Sequence, residues 1–278
     1  MWQKSYDDSP TLYLVPTPIG NLEDITYRAI NVLKEVSVIF SEDTRQTAIL
    51  LNHYNIKNKL ICLEEHNENV VKEKVLEYLK ESKSVAIVTD RGTPIISDPG
   101  YKTVKFISEQ GYNVVSLPGP TAFVPALTSS GIAPQPFLFY GFLNNKDSKR
   151  RKELKELEKV SYSIIFYEAP HRIIKTLEDM YNIFGNRQIS ISREISKKFE
   201  SVYRGTLEDI INNFENVKGE FVIVVEGNNN IETEDVDVIS LINDYVDKGI
   251  SVSDAIKKVS KDTNINKNEV YRIYHGGK

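Results

Sequence analysis

A single cysteine, Cys62, excludes an internal disulfide from this 278-residue chain. The four histidines, His53, His66, His171 and His275, stand at no spacing, with one another or with Cys62, that would hold zinc. No apolar run approaches the roughly 20 residues of a membrane span. The opening MWQKSYDDSP has neither a basic n-region nor an apolar h-region, so a cytoplasmic location is expected. Positive charge is not in excess either: 35 lysines and arginines face 39 aspartates and glutamates, a net charge of -4. A nucleic-acid contact would therefore have to be a local patch. The G-x-G-x-x-G fingerprint is also missing, which removes support for an ordinary dinucleotide site.

With 40% hydrophobic and 27% charged residues, the chain has the composition of a globular protein long enough for two cores. The short apolar runs TLYLVPTP, VSVIFSED, LICLEE, SVAIVTD and YNVVSLPG each precede a segment of helical periodicity. That alternation predicts a doubly wound parallel sheet over residues 1–117, its strands apolar throughout because helices cover both faces. Pro118, Gly119 and Pro120 mark a rigid break. The runs FLFYGFL, YSIIFYEA, ISISREI, ESVYRGT and EFVIVVEG then predict a second α/β domain over 118–228. ISISREI and ESVYRGT are too close to hold a helix between them and should form a hairpin, which makes this sheet mixed. The aromatic residues of FLFYGFL are expected in its core. Residues 229–278 read as a polar, acidic connection, NNNIETED, followed by a small helical module with Ser253 and Asn266 as caps.

In open α/β sheets chemistry gathers beyond the carboxyl ends of the strands. The loops there are stiff: PTPIGNLEDIT carries Pro16, Pro18 and Gly20, and TDRGTPIISDPG is built largely of glycine, proline and small polar residues. SEDTRQT puts Asp43 or Thr44 at a helix start, where Asp43 serves as a cap. Arg45 in the first turn opposes the helix dipole, and either a local salt bridge or a ligand would explain it. His171 and Arg172 repeat the anomaly after Pro170, with Glu168 or Glu42 as neutralising partners. The run from Lys146 to Lys155, which includes Lys149, Arg150 and Arg151, is either a solvated helix face or a nucleic-acid contact.

Six ordered stretches, LYLVPTPIGNLEDIT, EDTR, GTPIISDPG, PGPTA, YEAPHR and GEFVIVVEG, resemble the ribosomal RNA branch of the tetrapyrrole methylase superfamily, from about Leu12 to Lys278. The resemblance implies S-adenosylmethionine as methyl donor, bound in a cleft between two α/β domains, and a homodimer. It further implies 2′-O-methylation of a cytidine in the 16S ribosomal RNA of the small subunit. Cofactor contacts are implied at Ile19, at the ledge of Gly92, Thr93, Pro94 and Ile96, and at Thr121, Ala122, Tyr167 and Glu220. Thr93 and Asn21 stand where cobalamin-pathway relatives carry aspartate. Arg91 departs from the small residue that the branch has there, and is expected to point towards solvent or RNA.

Methyl transfer to a ribose hydroxyl needs positioning and the removal of one proton. Asp43, His66 and Asp98 are the candidate acceptors, and the proton could equally leave to water without a dedicated base. Arg45, Arg172 and Arg193 are candidate phosphate ligands, joined by Lys149, Arg150 and Arg151 and, in the tail, by Lys257, Lys258, Lys261 and Arg272. A tetrapyrrole methylase, or a non-catalytic RNA-binding assembly factor of the same fold, would share much of this pattern.

Overall fold

The structure, a computed structural model, describes residues 3–5, 7–213, 218–229, 237–263 and 265–276. Residues 1–228 form one compact unit and 229–278 a second. The break expected near residue 117 lies inside the first unit, between its two sheets. The expected acidic connection falls outside the described residues from position 230 onward.

The first sheet contains β1 (Thr11–Leu14), β2 (Ile39–Ser41), β3 (Leu60–Cys62), β4 (Val85–Val88) and β5 (Asn113–Ser116), in the order β3-β2-β4-β1-β5. All its pairings are parallel, because each strand returns through a helix: α1 (Tyr27–Glu35), α2 (Thr44–His53), α3 (Glu68–Lys80) and α4 (Tyr101–Glu109). β4 shows why the apolar runs are continuous. Val85 and Ile87 enter the core on one face while Ala86 and Val88 enter the core on the other, so no position is free to be polar. Helix starts follow local chemistry: the Thr26 side chain accepts from Ala29 N at 3.1 Å, and Asp43 accepts from Arg45 N at 2.8 Å.

The second sheet runs β6-β7-β10-β8-β9, with β6 (Phe137–Phe142), β7 (Ser163–Glu168), β8 (Gln188–Arg193), β9 (Ser201–Thr206) and β10 (Phe221–Val225). β6 and β7 are parallel, joined through α6 (Asp147–Leu157); every other pairing is antiparallel, including the expected β8–β9 hairpin. Ile164, Phe166, Ile191 and Ile223 pack on one face with residues of α6, α7 (Ile173–Phe184) and α8 (Leu207–Asn213). Ile165, Val222 and Val224 meet α5 (Phe123–Ser129) on the other. The reversal of β10 sets its first residues level with the last of β7, Phe221 opposite Glu168 and Val222 opposite Tyr167.

Two sequence expectations need correction here. β6 is an edge strand, so Phe137 and Phe142 are 42% and 52% exposed rather than core. In the tail unit, α9 (Val238–Asp247), α10 (Val252–Thr263) and α11 (Lys267–Gly276) surround Ile242, Ala255, Ile256, Val259 and Val270. The cap of α10 is Ser251, whose Oγ accepts from Asp254 N at 3.3 Å; Ser253 lies inside the helix. Asn266 does cap α11, accepting from Asn268 N at 2.9 Å. No helix among the described residues is long and apolar enough to cross a membrane.

Candidate functional site

The strand ends of the two sheets enclose a largely apolar cavity of about 350 Å³. That volume suits a small cofactor. Ile19 reaches it from the β1–α1 loop, Arg91 to Thr93 and Ile96 to Asp98 from the β4–α4 loop, and Thr121 and Ala122 from the segment before α5. Tyr167 and Glu168 come from the end of β7, while Glu220, Phe221 and Val222 come from the start of β10. β10 contributes only because it is antiparallel to β7, which brings its amino end to the same edge.

The β4–α4 loop is held rigidly. Thr17 and Gly92 exchange two backbone hydrogen bonds of 2.9 Å, and Thr93 Oγ1 donates to Pro120 O at 3.0 Å. Gly92 lines the cavity at φ +83°, where a Cβ would meet Ile19 Cγ2 at 3.4 Å. Ile95 and Ser97 also have positive φ, +75° and +70°. A β-branched residue in that region costs about 1–3 kcal/mol, so the surrounding packing must impose this conformation.

Two cavity groups have shifted protonation. Burial, seconded by the charge of Glu42, pushes the Asp98 carboxyl up to about 6. Burial likewise raises the Tyr167 phenol, opposed by hydrogen bonds with Thr121 and with the backbone of Phe123 and Ala122. Glu168 is fully buried and committed elsewhere: it accepts from Arg172 Nε, from Ala169 N at 2.6 Å and from Thr176 Oγ1 at 2.7 Å. At the cavity edge Arg91 forms an ion pair with Glu220, which also accepts from Lys197 Nζ at 2.8 Å. Arg91 thus turns towards the second sheet, a partner that its sequence position did not reveal.

Of the residues implied as cofactor contacts, Ile19, Gly92, Thr93, Ile96, Thr121, Ala122, Tyr167 and Glu220 all line this cavity. Pro94 does not: it is buried away from the lining. Phe142, Ala169, Pro170 and Ile195 line it without having been singled out.

The three candidate proton acceptors are not equivalent. Asp98 faces the cavity, whereas Asp43 and His66 do not. Asp43 is held down to about 2, mainly by hydrogen bonds from the side chain and backbone N–H of Arg45. His66 is 84% exposed and lies 2.9 Å from Glu64.

The candidate phosphate ligands also separate. Arg45 is 88% exposed and forks onto Asp43 through Nε and Nη2. Arg172 is turned inward onto Glu168, the local neutralisation that its position allowed, and is not presented to a polyanion. Arg193 donates to the carbonyls of Lys218 and Phe199. Arg150 contradicts the expectation of an RNA contact: it is 1% exposed and bonds Asp179 through Nε at 2.8 Å and Nη2 at 2.6 Å. The inward face of α6 needs a residue to meet the buried Asp179 of α7, and Arg150 occupies it. Lys149 is exposed and Arg151 half-exposed on the same helix. In the tail unit Lys261 is exposed, Lys257 pairs with Asp254, Lys258 lies over the Tyr245 ring at 5.4 Å, and Arg272 approaches Glu269 at 3.9 Å.

A parallel sheet and a mixed sheet in this arrangement also make up two solved methyltransferases. Uroporphyrin-III C-methyltransferase from Thermus thermophilus, in complex with S-adenosylhomocysteine, superposes with a TM-score of 0.56 at 18% identity, covering 78% of this chain and 97% of that one. Cobalt precorrin-4 methyltransferase gives 0.57 at 17% identity, covering 78% and 94%. The chain belongs to the tetrapyrrole (corrin/porphyrin) methylase family, whose model matches residues 11–211. It is 47% identical over 277 residues to the ribosomal RNA small subunit methyltransferase I of Bacillus subtilis, covering 96% of this chain and 95% of that protein. Its identity to the protein of the same name from Halalkalibacterium halodurans is 44%, with 98% of each covered.

Proposed function

We propose that this protein is an S-adenosylmethionine-dependent methyltransferase that methylates a cytidine 2′-hydroxyl in the 16S ribosomal RNA of the small subunit, and that it works as a homodimer. The observation that carries the reading is one cavity walled by nearly every residue implied as a cofactor contact, in a chain close to half identical to named ribosomal RNA methyltransferases. The lining fits a cofactor that joins a sulfonium cation to an aromatic base. Ile19, Ile96, Phe142, Ile195 and Val222 provide apolar walls, and Asp98 provides a carboxylate whose raised pKa records an unmet preference for positive charge.

When bound, S-adenosylmethionine supplies an electrophilic methyl group on a positively charged sulfur. The backbone of Gly92 and Thr93, fixed by Thr17 and Pro120, offers preformed polar contacts at little ordering cost. Asp98, mostly ionised at neutral pH, would share this cavity with the positive charge. A carboxylate so placed becomes a weaker base, which assigns Asp98 to charge complementarity rather than to proton removal. The apolar walls keep water from the reacting centre. A tetrapyrrole substrate is disfavoured, because its several carboxylates would require several cations, and Arg91 is the cavity's one arginine or lysine among the described residues.

The test is methyl transfer to small ribosomal subunits from cells lacking the gene, followed by nucleoside mass spectrometry. A 2′-O-methylcytidine that appears only with the protein and the cofactor is expected. Transfer to uroporphyrinogen but not to RNA would refute the reading. Light scattering of the purified protein tests the dimer.

A further inference from the structure

Two openings adjoin the cofactor cavity, and their linings differ in charge. One is a groove of about 740 Å³ that shares Ser97 and Asp98 with it, lined by five carboxylates, Glu42, Glu64, Glu65, Glu68 and Asp98, against one lysine, Lys102. A polyanion approaching here would meet like charge. The other opening is a cleft of about 530 Å³ that shares Arg91 with the cavity.

That cleft holds the mixed chemistry of a nucleotide seat. Leu22 and Ile49, 39% and 66% exposed, give apolar surface for the face of a base. Gln46 and Asp90 offer groups that can read a base edge, Asp90 by accepting from a cytosine amino group. Lys197 and Arg91 supply two cations, both now bound by carboxylates: Lys197 by Glu194 and Glu220 at 2.8 Å each, and Arg91 by Glu220. A phosphate can take the place of a carboxylate on either cation, since the geometry of recognition is shared.

We propose that the target strand of the RNA enters by this cleft, with its nucleotide between α2 and the β8–β9 connection, and that a phosphate draws Arg91 from Glu220 and so opens the partition beside the cofactor. The inference rests on the RNA reading above and assigns that substrate its seat. Cytidine in the cleft lies next to the cavity through one shared residue, and the acidic groove is left to solvent.

The experiment places a p-benzoylphenylalanine photocrosslinker at position 49, in place of Ile49 in the cleft, or at position 101, in place of Tyr101 in the groove. Each full-length protein is irradiated with small ribosomal subunits. Crosslinks to 16S ribosomal RNA from position 49 and none from 101 are expected; the reverse pattern, or no crosslink from 49, overturns the proposal. Kinetics supply the second arm. Gln46→Glu adds a negative charge in the first turn of α2, which favours the helix and spares folding. It should raise KM for small subunits by about tenfold or more, leaving cofactor affinity by calorimetry unchanged, while Lys102→Glu in the groove leaves KM unmoved. An unchanged KM in Gln46→Glu also overturns the proposal. Absence of methyl transfer by the unaltered protein would instead sink the RNA reading, and the crosslinks are scored without any transfer.

Discussion

Asp98 and Gly92 carry the sharpest consequences at the residue scale. The Asp98 carboxyl titrates near 6 in the folded protein against an ordinary 3.8. The folded state therefore binds its proton more tightly than the unfolded state, and stability falls as pH rises from about 4 to about 6. Asp98→Asn should remove that slope and raise the melting temperature at pH 7. The same substitution should weaken S-adenosylmethionine binding, and in the unaltered protein affinity should drop as pH falls below about 6. Calorimetry across pH, beside thermal melts, checks both signs; a destabilised Asp98→Asn would show that the carboxylate is satisfied without ligand. Gly92→Leu combines a disfavoured φ with a side chain that would start against Ile19 and Pro120 at the cavity wall. A folded variant should bind the cofactor at least about tenfold more weakly, the effect of roughly 1.4 kcal/mol. Gly92→Ala serves as the control for backbone strain alone.

Among the elements, α6 and the strand ends explain how far sequence could carry the site. The parallel strands were legible because two-sided burial erases alternation, and the β8–β9 hairpin because no helix fits its connection. The ledge was legible through its glycine and prolines. Phe142 and Ile195 were not, since nothing local tells that β6 is an edge strand or that the β8–β9 connection folds back to the first sheet. The charge run of α6 was ambiguous for a related reason: a string of lysines and arginines does not say which one faces inward. Arg150 does, and breaking a buried pair leaves an uncompensated charge that costs about 3–5 kcal/mol. Arg151, 3.7 Å from Asp179, partly compensates. Arg150→Met should therefore cost about 3 kcal/mol in urea unfolding, with RNA affinity changed far less than by Lys149→Glu on the exposed face.

For the whole molecule, the division at residue 228 predicts separable roles. The tail unit has its own core, and among the described residues the cavity is lined from 1–228. A protein ending after Gly227 should keep its cofactor affinity and methylate small subunits poorly, because it loses the cations of α10 and α11. Transfer at the full rate by the shortened chain would remove the tail from substrate binding. For the intact protein, RNA affinity should fall steeply as salt rises, despite the net charge of -4. The reciprocal Thr17–Gly92 hydrogen bonds bear on time rather than on affinity. Both amides sit in loops, where deuterium usually replaces hydrogen within moments, yet each is tied to a segment that follows a central strand of the first sheet. Their exchange should be slow before any cofactor is added, and a mass-spectrometric time course would then date the shaping of the ledge to folding and not to binding.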